Sequence, residues 1–525
     1  MKRHLAIGVA LTLAAAGFRL FLALRLPNDD DDDGRFYAQI ARNLLDHRGY
    51  SGEEEEPYVP TYVRVPGYPV FLAGVYSVFG RENNTAVRFI QISLDLVTCW
   101  LAAMLAVAWA PIAWELEKRR RAMLIALALA AACPFSAVYV TTILTETWAT
   151  LLVAAFVLVA TLGLKSKRCE TSAPLWLAAG LLAGAATMFR PDSALFLGGA
   201  GVMLLIAGLL QTFARLRRSS PEPGREGARP IMATIGTTIG ATTLVSLLAV
   251  TIGFASLLAP WTIRNARVFG VFQPVAPPYA NMPDEFAPFG YIAWLRTWVD
   301  DERYVSLVED GLGLYPILIE RMPDQAFDSS QERDRVRELL DRYNNPSKLV
   351  MDPSDEDDNA GYPGPAVLMT PEIDAEFGQI ARERIARHPL RHYLVLPLKR
   401  AASLWFDTHS QYYPFQGQLF PLYDLDTQAH QQYWLWLFAL LTWFYTIAGL
   451  IGVAVMWKAE SSRRWVLLLV LLILPRLAFL AAQEHPESRY TVEFFPLVAA
   501  AGGLALACLT LDRIRRGFAR GKSKG

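Results

Sequence analysis

Carboxylates, arginines, tyrosines and prolines crowd the short stretches that flank the apolar segments of this chain. The first such stretch holds aspartates at 29–33, followed by Gly34-Arg35-Phe36-Tyr37. From Phe36 onward the pattern turns helical, with Phe36, Ile40, Leu44 and Leu45 on one side. Asp33 is therefore expected just upstream of a short surface helix, where a carboxylate accepts backbone N–H bonds and stays ionised. Asp33, with Asp32 beside it, could take a proton from a hydroxyl or an amine. Positions 29–31 read as a solvated acidic tract. Arg64, in Thr61-Tyr62-Val63-Arg64-Val65-Pro66-Gly67-Tyr68-Pro69, stands at a turn fixed by two prolines and a glycine. Its fork of donors suits a lipid phosphate or an ordinary headgroup. Glu146 lies a few residues into an apolar segment, among Thr141, Thr142, Thr145 and Thr147. An ionisable residue there is costly and marks function by default; its structural alternative is a pair with Arg190. Arg190-Pro191-Asp192 breaks a path between two segments. Arg264, in Pro260-Trp261-Thr262-Ile263-Arg264-Asn265, stands where another emerges, and His485, Glu487, Arg489 and Tyr490 crown the last.

These groups need a scaffold, and the composition supplies one. Of 525 residues, 53% are hydrophobic and only 19% charged, below the usual quarter for soluble domains. About 20 apolar residues cross a bilayer, which predicts an all-α polytopic protein with ten spans: 4–25, 86–110, 121–140, 143–163, 174–190, 193–214, 235–260, 432–457, 465–482 and 490–512. The first reads as a retained helix, not a cleaved signal, because no small-x-small site precedes Pro27. Basic loops at 118–121, 165–168, 215–218 and 458–464, and the tail 513–524, fall on the side of Lys2 and Arg3. Positive residues mark the cytoplasmic side, so both termini are expected there and the reactive groups on the other face. The organisation that follows is a transmembrane catalytic module at 1–260 with the first outer loop at 26–85. An outer-face region spans 261–431, C-terminal spans fill 432–512, and 513–525 is a basic tail.

The outer-face region predicts helices of its own. Thr370-Pro371-Glu372 reads as an N-cap, a first-turn proline and an acidic first-turn residue, with Ile373, Phe377 and Ile380 on one stripe. Ser329 or Ser330 opens a second helix carrying Val336, Leu339, Leu340 and Tyr343. The stretch 390–406 carries Lys399 and Arg400 at its centre, which argues for a helix lying in the interface with long basic side chains reaching the headgroups. Asp95, the chief ionisable residue deep in a span, is expected to bond a neighbouring helix or to serve function. The four cysteines read as free thiols.

Several classes are excluded. Fifty basic residues balance fifty acidic ones, so no bulk pull toward nucleic acid exists. Nucleotide loops of the G-x-G-x-x-G or G-x-x-x-x-G-K-[ST] kind are absent, as are H-x-x-H, H-E-x-x-H and C-x-x-C spacings, so a divalent metal has no sequence signature and no cofactor is assigned. A donor carried by a lipid needs a membrane-level cleft, cations for its phosphate and a carboxylate to activate the acceptor; these residues supply all three. Direct displacement with inversion needs one base.

Asp33-Gly34-Arg35-Phe36-Tyr37-Ala38-Gln39-Ile40-Ala41-Arg42-Asn43-Leu44-Leu45 followed by Arg64-Val65-Pro66-Gly67-Tyr68-Pro69 resembles the first outer loop of bacterial lipid-linked-sugar glycosyltransferases. These belong to the dolichyl-phosphate-mannose-protein mannosyltransferase and aminoarabinose-transferase superfamily, glycosyltransferase family 39-like, with the GT-C fold. Leu144-Thr145-Glu146, Phe189-Arg190-Pro191-Asp192, Pro260-Trp261-Thr262-Ile263-Arg264-Asn265, His388-Pro389-Leu390-Arg391 and Ser488-Arg489-Tyr490 extend the similarity over residues 4–270 and, more loosely, 385–512. The resemblance implies transfer of one sugar from a polyprenyl-phosphate donor to an envelope glycolipid, polysaccharide or protein on the outer face of a bacterial inner membrane. It implies Asp33 as catalytic base, supported by Asp32; Glu146 as an orienting acid; and Arg64, Arg190, Arg264 and Arg489 at the lipid phosphate. Tyr37, Tyr68, His485 and Tyr490 would orient substrate. Relatives often carry Asp-Glu where this chain has Asp33-Gly34. The competing readings are a secondary transporter or flippase, which requires broken or charged helices near the midplane, and a membrane subunit without activity.

Overall fold

The structure is a computed structural model that describes residues 2–26, 32–166, 168–218, 240–277, 279, 281–282, 285–309, 311–345, 367–415 and 432–522. Positions 29–31 and the acidic run at 352–358 lie outside the described residues. Among the described residues the regular structure is helical, with one isolated bridge between Ser51 and Pro60. Among the described residues nine helices are long and apolar enough to cross a membrane, or ten if Leu116–Ala131 and Pro134–Val140, bent by 51°, form one broken span. The chain is thus an all-α polytopic membrane protein. Hydrocarbon offers no partner to a peptide group, so each apolar stretch closes its own hydrogen bonds as a helix. The seventh span runs later than expected, as Ala241–Phe269, which places Arg264 inside it.

The chain divides into two compact units: 1–282 with 408–476 and 491–525, and 283–407 with 477–490. In the first, small residues let helices touch. A Cβ on Gly180 would collide with the Val250 carbonyl and one on Gly253 with that of Leu177, so Cys169–Phe189 and Ala241–Phe269 pack backbone to backbone. Pro134 breaks the third span, since it cannot donate to the ladder, and the carbonyls of residues 129–131 need other partners. The Tyr445 hydroxyl donates to Leu129 O at 2.7 Å. The Arg19 guanidinium donates to Ala130 O at 3.2 Å and Ala131 O at 2.6 Å, and pairs with Asp95. Asp95 therefore bonds a neighbouring helix, and its partner is a wholly buried arginine of the first span.

The second unit packs Phe289–Leu295, Ser330–Asn344 and Pro371–Arg387 around Trp294, Trp298, Leu339, Tyr343 and Phe377, while Leu396–Phe406 packs through Leu404 on Leu480 and Ala481. Both expected caps form. The Ser329 side chain accepts from Glu332 N, and that of Thr370 from Ile373 N. Asp328, just before the first cap, collects Arg384, Arg387 and Arg391. Burial opposes its charge, but the Arg391 hydrogen bond and the surrounding guanidiniums hold its carboxyl below the ordinary range. The stretch 390–406 is helical, and its two central basic residues part ways, Lys399 staying exposed and Arg400 turning inward. Arg400 is buried, donating to Val299 O at 2.7 Å and Arg296 O at 2.8 Å, and Lys399 pairs with Asp300 at 2.8 Å. Carbonyls of the same unit thus hold Arg400 inside it.

Candidate active site

The site in the first unit starts from an amphipathic helix, Asp32–Leu45. It begins earlier than the apolar pattern suggested, so Asp33 stands in its first turn, where free N–H groups favour a carboxylate. Asp32 is exposed and pairs with Arg35. Asp33 turns the other way, its Oδ1 2.7 Å from Arg64 Nη2. With 3.6 residues per turn, about 100° of helical rotation separates the directions of the two neighbours.

Two glycines allow the loop elements to approach. A Cβ on Gly34 would stand 3.1 Å from the Ile143 carbonyl oxygen. A glycine at 34 thus gives the helix room to lie against the turn that precedes Glu146. Gly67 has no room for a Cβ against the backbone of Met188, which seats the turn after Arg64 on the end of the helix leading to Arg190. Tyr37 and Tyr68 meet edge to face at 5.3 Å. The Tyr68 hydroxyl donates to Gln91 Oε1 at 2.9 Å, and Gln91 Nε2 reaches the carbonyls of Thr142, Val140 and Tyr139 at 2.9, 3.2 and 3.3 Å. One amide thereby ties the first loop to the buried turn that carries Glu146.

Glu146 opens the helix Glu146–Lys165, and its carboxylate lies 2.9 Å from Arg190 Nη1. The structural alternative weighed for Glu146, a pair with Arg190, is therefore formed. Arg190 also faces Asp192 at 3.6 Å and Glu493 at 3.5 Å. Arg264 Nη1 donates to Thr61 O at 2.7 Å, and its guanidinium lies 5.0 Å from the rings of Trp261 and Phe269 and 5.5 Å from that of Tyr50. These contacts bind Arg264 to the base of the loop that ends in Arg64.

His485, Arg489 and Tyr490 belong to the second unit. His485 Nε2 is 2.6 Å from Glu487 and its Nδ1 3.8 Å from Glu309; Arg489 pairs with Glu487. Burial alone would discharge the imidazole, but the two carboxylates push His485 up to about 12. Burial, reinforced by Asp407 and Glu487, pushes the Glu302 carboxyl well above its ordinary range. Tyr490 packs with Leu404, Leu480 and Ala481. Among the described residues no group of three His, Cys, Asp or Glu could hold a metal ion.

Sequence reasoning missed Gln91, Arg476, Glu493, Glu302 and Glu309. Arg476 and Glu493 sit in apolar context, and the cost of an ionisable residue within a span was the signal available for both. Gln91 carried none.

No model of a known protein family matches this chain, and no curated protein matches it. Solved structures do. The archaeal oligosaccharyltransferase AglB of Archaeoglobus fulgidus, solved with an inhibitory peptide and a dolichol-phosphate, aligns with 99% of this chain and 52% of its own, at 11% identity and a TM-score of 0.50. The same enzyme tethered to an acceptor peptide containing an NVT sequon aligns at a TM-score of 0.49 and 11% identity, over 96% of this chain and 49% of its own. ArnT of Cupriavidus metallidurans, bound to undecaprenyl phosphate, aligns over 95% of this chain and 77% of its own, at 14% identity and a TM-score of 0.34. The chain spans about half the length of the oligosaccharyltransferase it matches. The likeness is one of fold, and the fold is GT-C-like.

Proposed function

We propose that this chain is an inverting glycosyltransferase. It moves a single sugar from a polyprenyl-phosphate-linked donor to a hydroxyl or amine of an envelope glycolipid, polysaccharide or protein. The reaction takes place on the outer face of a bacterial inner membrane, with both termini cytoplasmic. The observation that carries this reading is the Asp33–Arg64 pair, 2.7 Å apart at the first turn of a surface helix. A base and a phosphate-binding cation stand side by side there. The GT-C-like fold, shared with an enzyme that holds a dolichol-phosphate, supports the donor class.

In this scheme Asp33 takes the proton from the acceptor as its oxygen or nitrogen attacks the anomeric carbon. The bond from that carbon to the phosphate oxygen breaks, and its electron pair leaves with the polyprenyl phosphate. Arg64 stabilises the charge gathering on the phosphate. Arg264 acts on that step by fixing the loop that carries Arg64, and Glu146, held by Arg190, orients the acceptor. The transport reading needs charges available near the midplane. Arg19 and Asp95 are instead spent on each other and on the carbonyls of the broken span.

Membranes holding the full chain, fed radiolabelled polyprenyl-phosphate hexose or pentose, should pass label to an endogenous acceptor. Asp33→Asn should lower transfer by roughly 10²–10⁴-fold, and Asp32→Asn should leave it near the parental rate. Folded Asp33→Asn protein transferring sugar at the parental rate would sink the reading.

A further inference from the structure

We propose that Arg476 and Glu493 are positioning residues that set Glu146 through Arg190; this rests on the transferase reading above. Arg476 lies near the C-terminal end of Arg463–Ala481, wholly buried. Its guanidinium lies 5.0 Å from the ring of Phe196 and 5.6 Å from that of Phe494. It makes a two-point bond to Glu493, at 2.6 and 2.9 Å, and meets Asp192 at 2.9 and 2.7 Å. Glu493 Oε1 in turn faces Arg190 Nε at 3.5 Å, and Arg190 Nη1 ends on Glu146 at 2.9 Å. Four separate chain segments meet in this lattice.

The charge count explains its logic. Three carboxylates, Glu146, Asp192 and Glu493, share two guanidiniums, Arg190 and Arg476. By formal charge one carboxylate is in excess among these five groups, so the three acids compete for two guanidiniums. Arg476 takes most of Asp192 and Glu493, and the shortest bond of Arg190 in the lattice goes to Glu146. Without Arg476, Arg190 would be drawn toward the other two acids and away from Glu146. Packing alone does not call for such an arrangement, since apolar residues of similar volume stabilise a buried site as well or better. A charged lattice does fix the direction of a carboxylate.

The test uses full-length protein in lipid nanodiscs with a polyprenyl-phosphate sugar and an extracted envelope acceptor, with kcat and KM measured across pH. Glu493→Gln and Arg476→Gln should each lower kcat by roughly 10- to 100-fold, the cost of a misplaced group, with donor KM unchanged. The acid limb of the rate profile should move in opposite directions. Removing a negative charge in Glu493→Gln shifts it to lower pH, and removing a positive charge in Arg476→Gln shifts it to higher pH. Arg476→Lys should not restore kcat, because an ammonium cannot keep the two-point bond. If Arg476→Gln does not fold, Asp192→Asn carries the same test and should shift the limb as Glu493→Gln does. Monodisperse variants with parental kcat, or with limbs that stay in place, overturn the assignment alone. A parental protein that transfers no sugar overturns the transferase reading and this assignment with it.

Discussion

At the scale of single residues, the decisive feature is direction. Asp32 and Asp33 are chemically identical and adjacent, and only the helix phase sends one to Arg35 and the other to Arg64. Their type was legible in the sequence, but a stripe that begins at Phe36 put Asp33 just upstream of the helix, whereas the structure puts it in the first turn. Arg19 was not legible. It sits in an otherwise apolar segment, and its partners come from two other places in the chain, the helix of Asp95 and Cys99 and the carbonyls of Ala130 and Ala131. Breaking a buried pair strands the other charge, at a cost of about 3–5 kcal/mol. Arg19→Leu or Asp95→Leu alone should therefore lower the thermal midpoint of detergent-solubilised protein strongly, while the double variant recovers part of the loss. Equal destabilisation by single and double variants would show that the pair is not coupled. Arg264 offers a second residue-scale test. Because it clamps the loop base, Arg264→Gln should make the 46–66 segment more open to limited proteolysis before any donor is added. A residue serving the phosphate alone would leave the cleavage pattern untouched.

At the scale of elements, contact between backbones does the positioning. Gly67→Ala should push the Arg64 turn off Met188, because the new methyl would occupy the space of a backbone carbonyl. Transfer should fall by about 10²-fold, as for other small displacements, with the protein still folded by size-exclusion chromatography. Parental activity in Gly67→Ala would show that the turn tolerates displacement. The stretch 390–406 makes another case. Lys399 and Arg400 at its centre argue for a helix lying in the interface, yet the inward turn of Arg400 could not be read from them, because the carbonyls of Val299 and Arg296 lie about a hundred residues away in sequence. With Arg400 used internally, Leu390, Tyr393, Leu394 and Leu398 form an exposed apolar face. Leu404 packs beside Leu480 and Ala481, the last residues of an apolar span. Nitroxides at Leu394 and Leu398 should be relaxed more by oxygen than by aqueous nickel chelate, the pattern of a buried interfacial face. The reverse pattern would place this face in water.

At the scale of the whole molecule, proton linkage predicts a pH dependence. His485 is pushed up to about 12 and Glu302 well above its ordinary range, so both bind a proton more tightly in the folded chain. The stability they contribute is complete below their ordinary values of 6.5 and 4.5 and is lost as pH rises through the raised ones. Asp328, held below its usual 3.8, has the opposite sign and loses its contribution only in acid. The melting temperature should therefore decline from pH 7 to pH 10, with a shallower slope in His485→Gln. A parental profile that stays flat, or rises, would contradict the linkage.

The linear chain by itself determined what depends on neighbours a few residues apart. Apolar runs long enough to cross hydrocarbon, caps at Ser329 and Thr370, a surface helix after an acidic tract, and Glu146 beside a span are all local consequences of composition and helical period. Tertiary structure alone decided which charge meets which. Buried charges are paired by whatever the fold brings within about 3 Å, and residues 146, 190, 476 and 493 are remote in sequence. Helical period says which face a residue occupies, but only packing says what waits opposite.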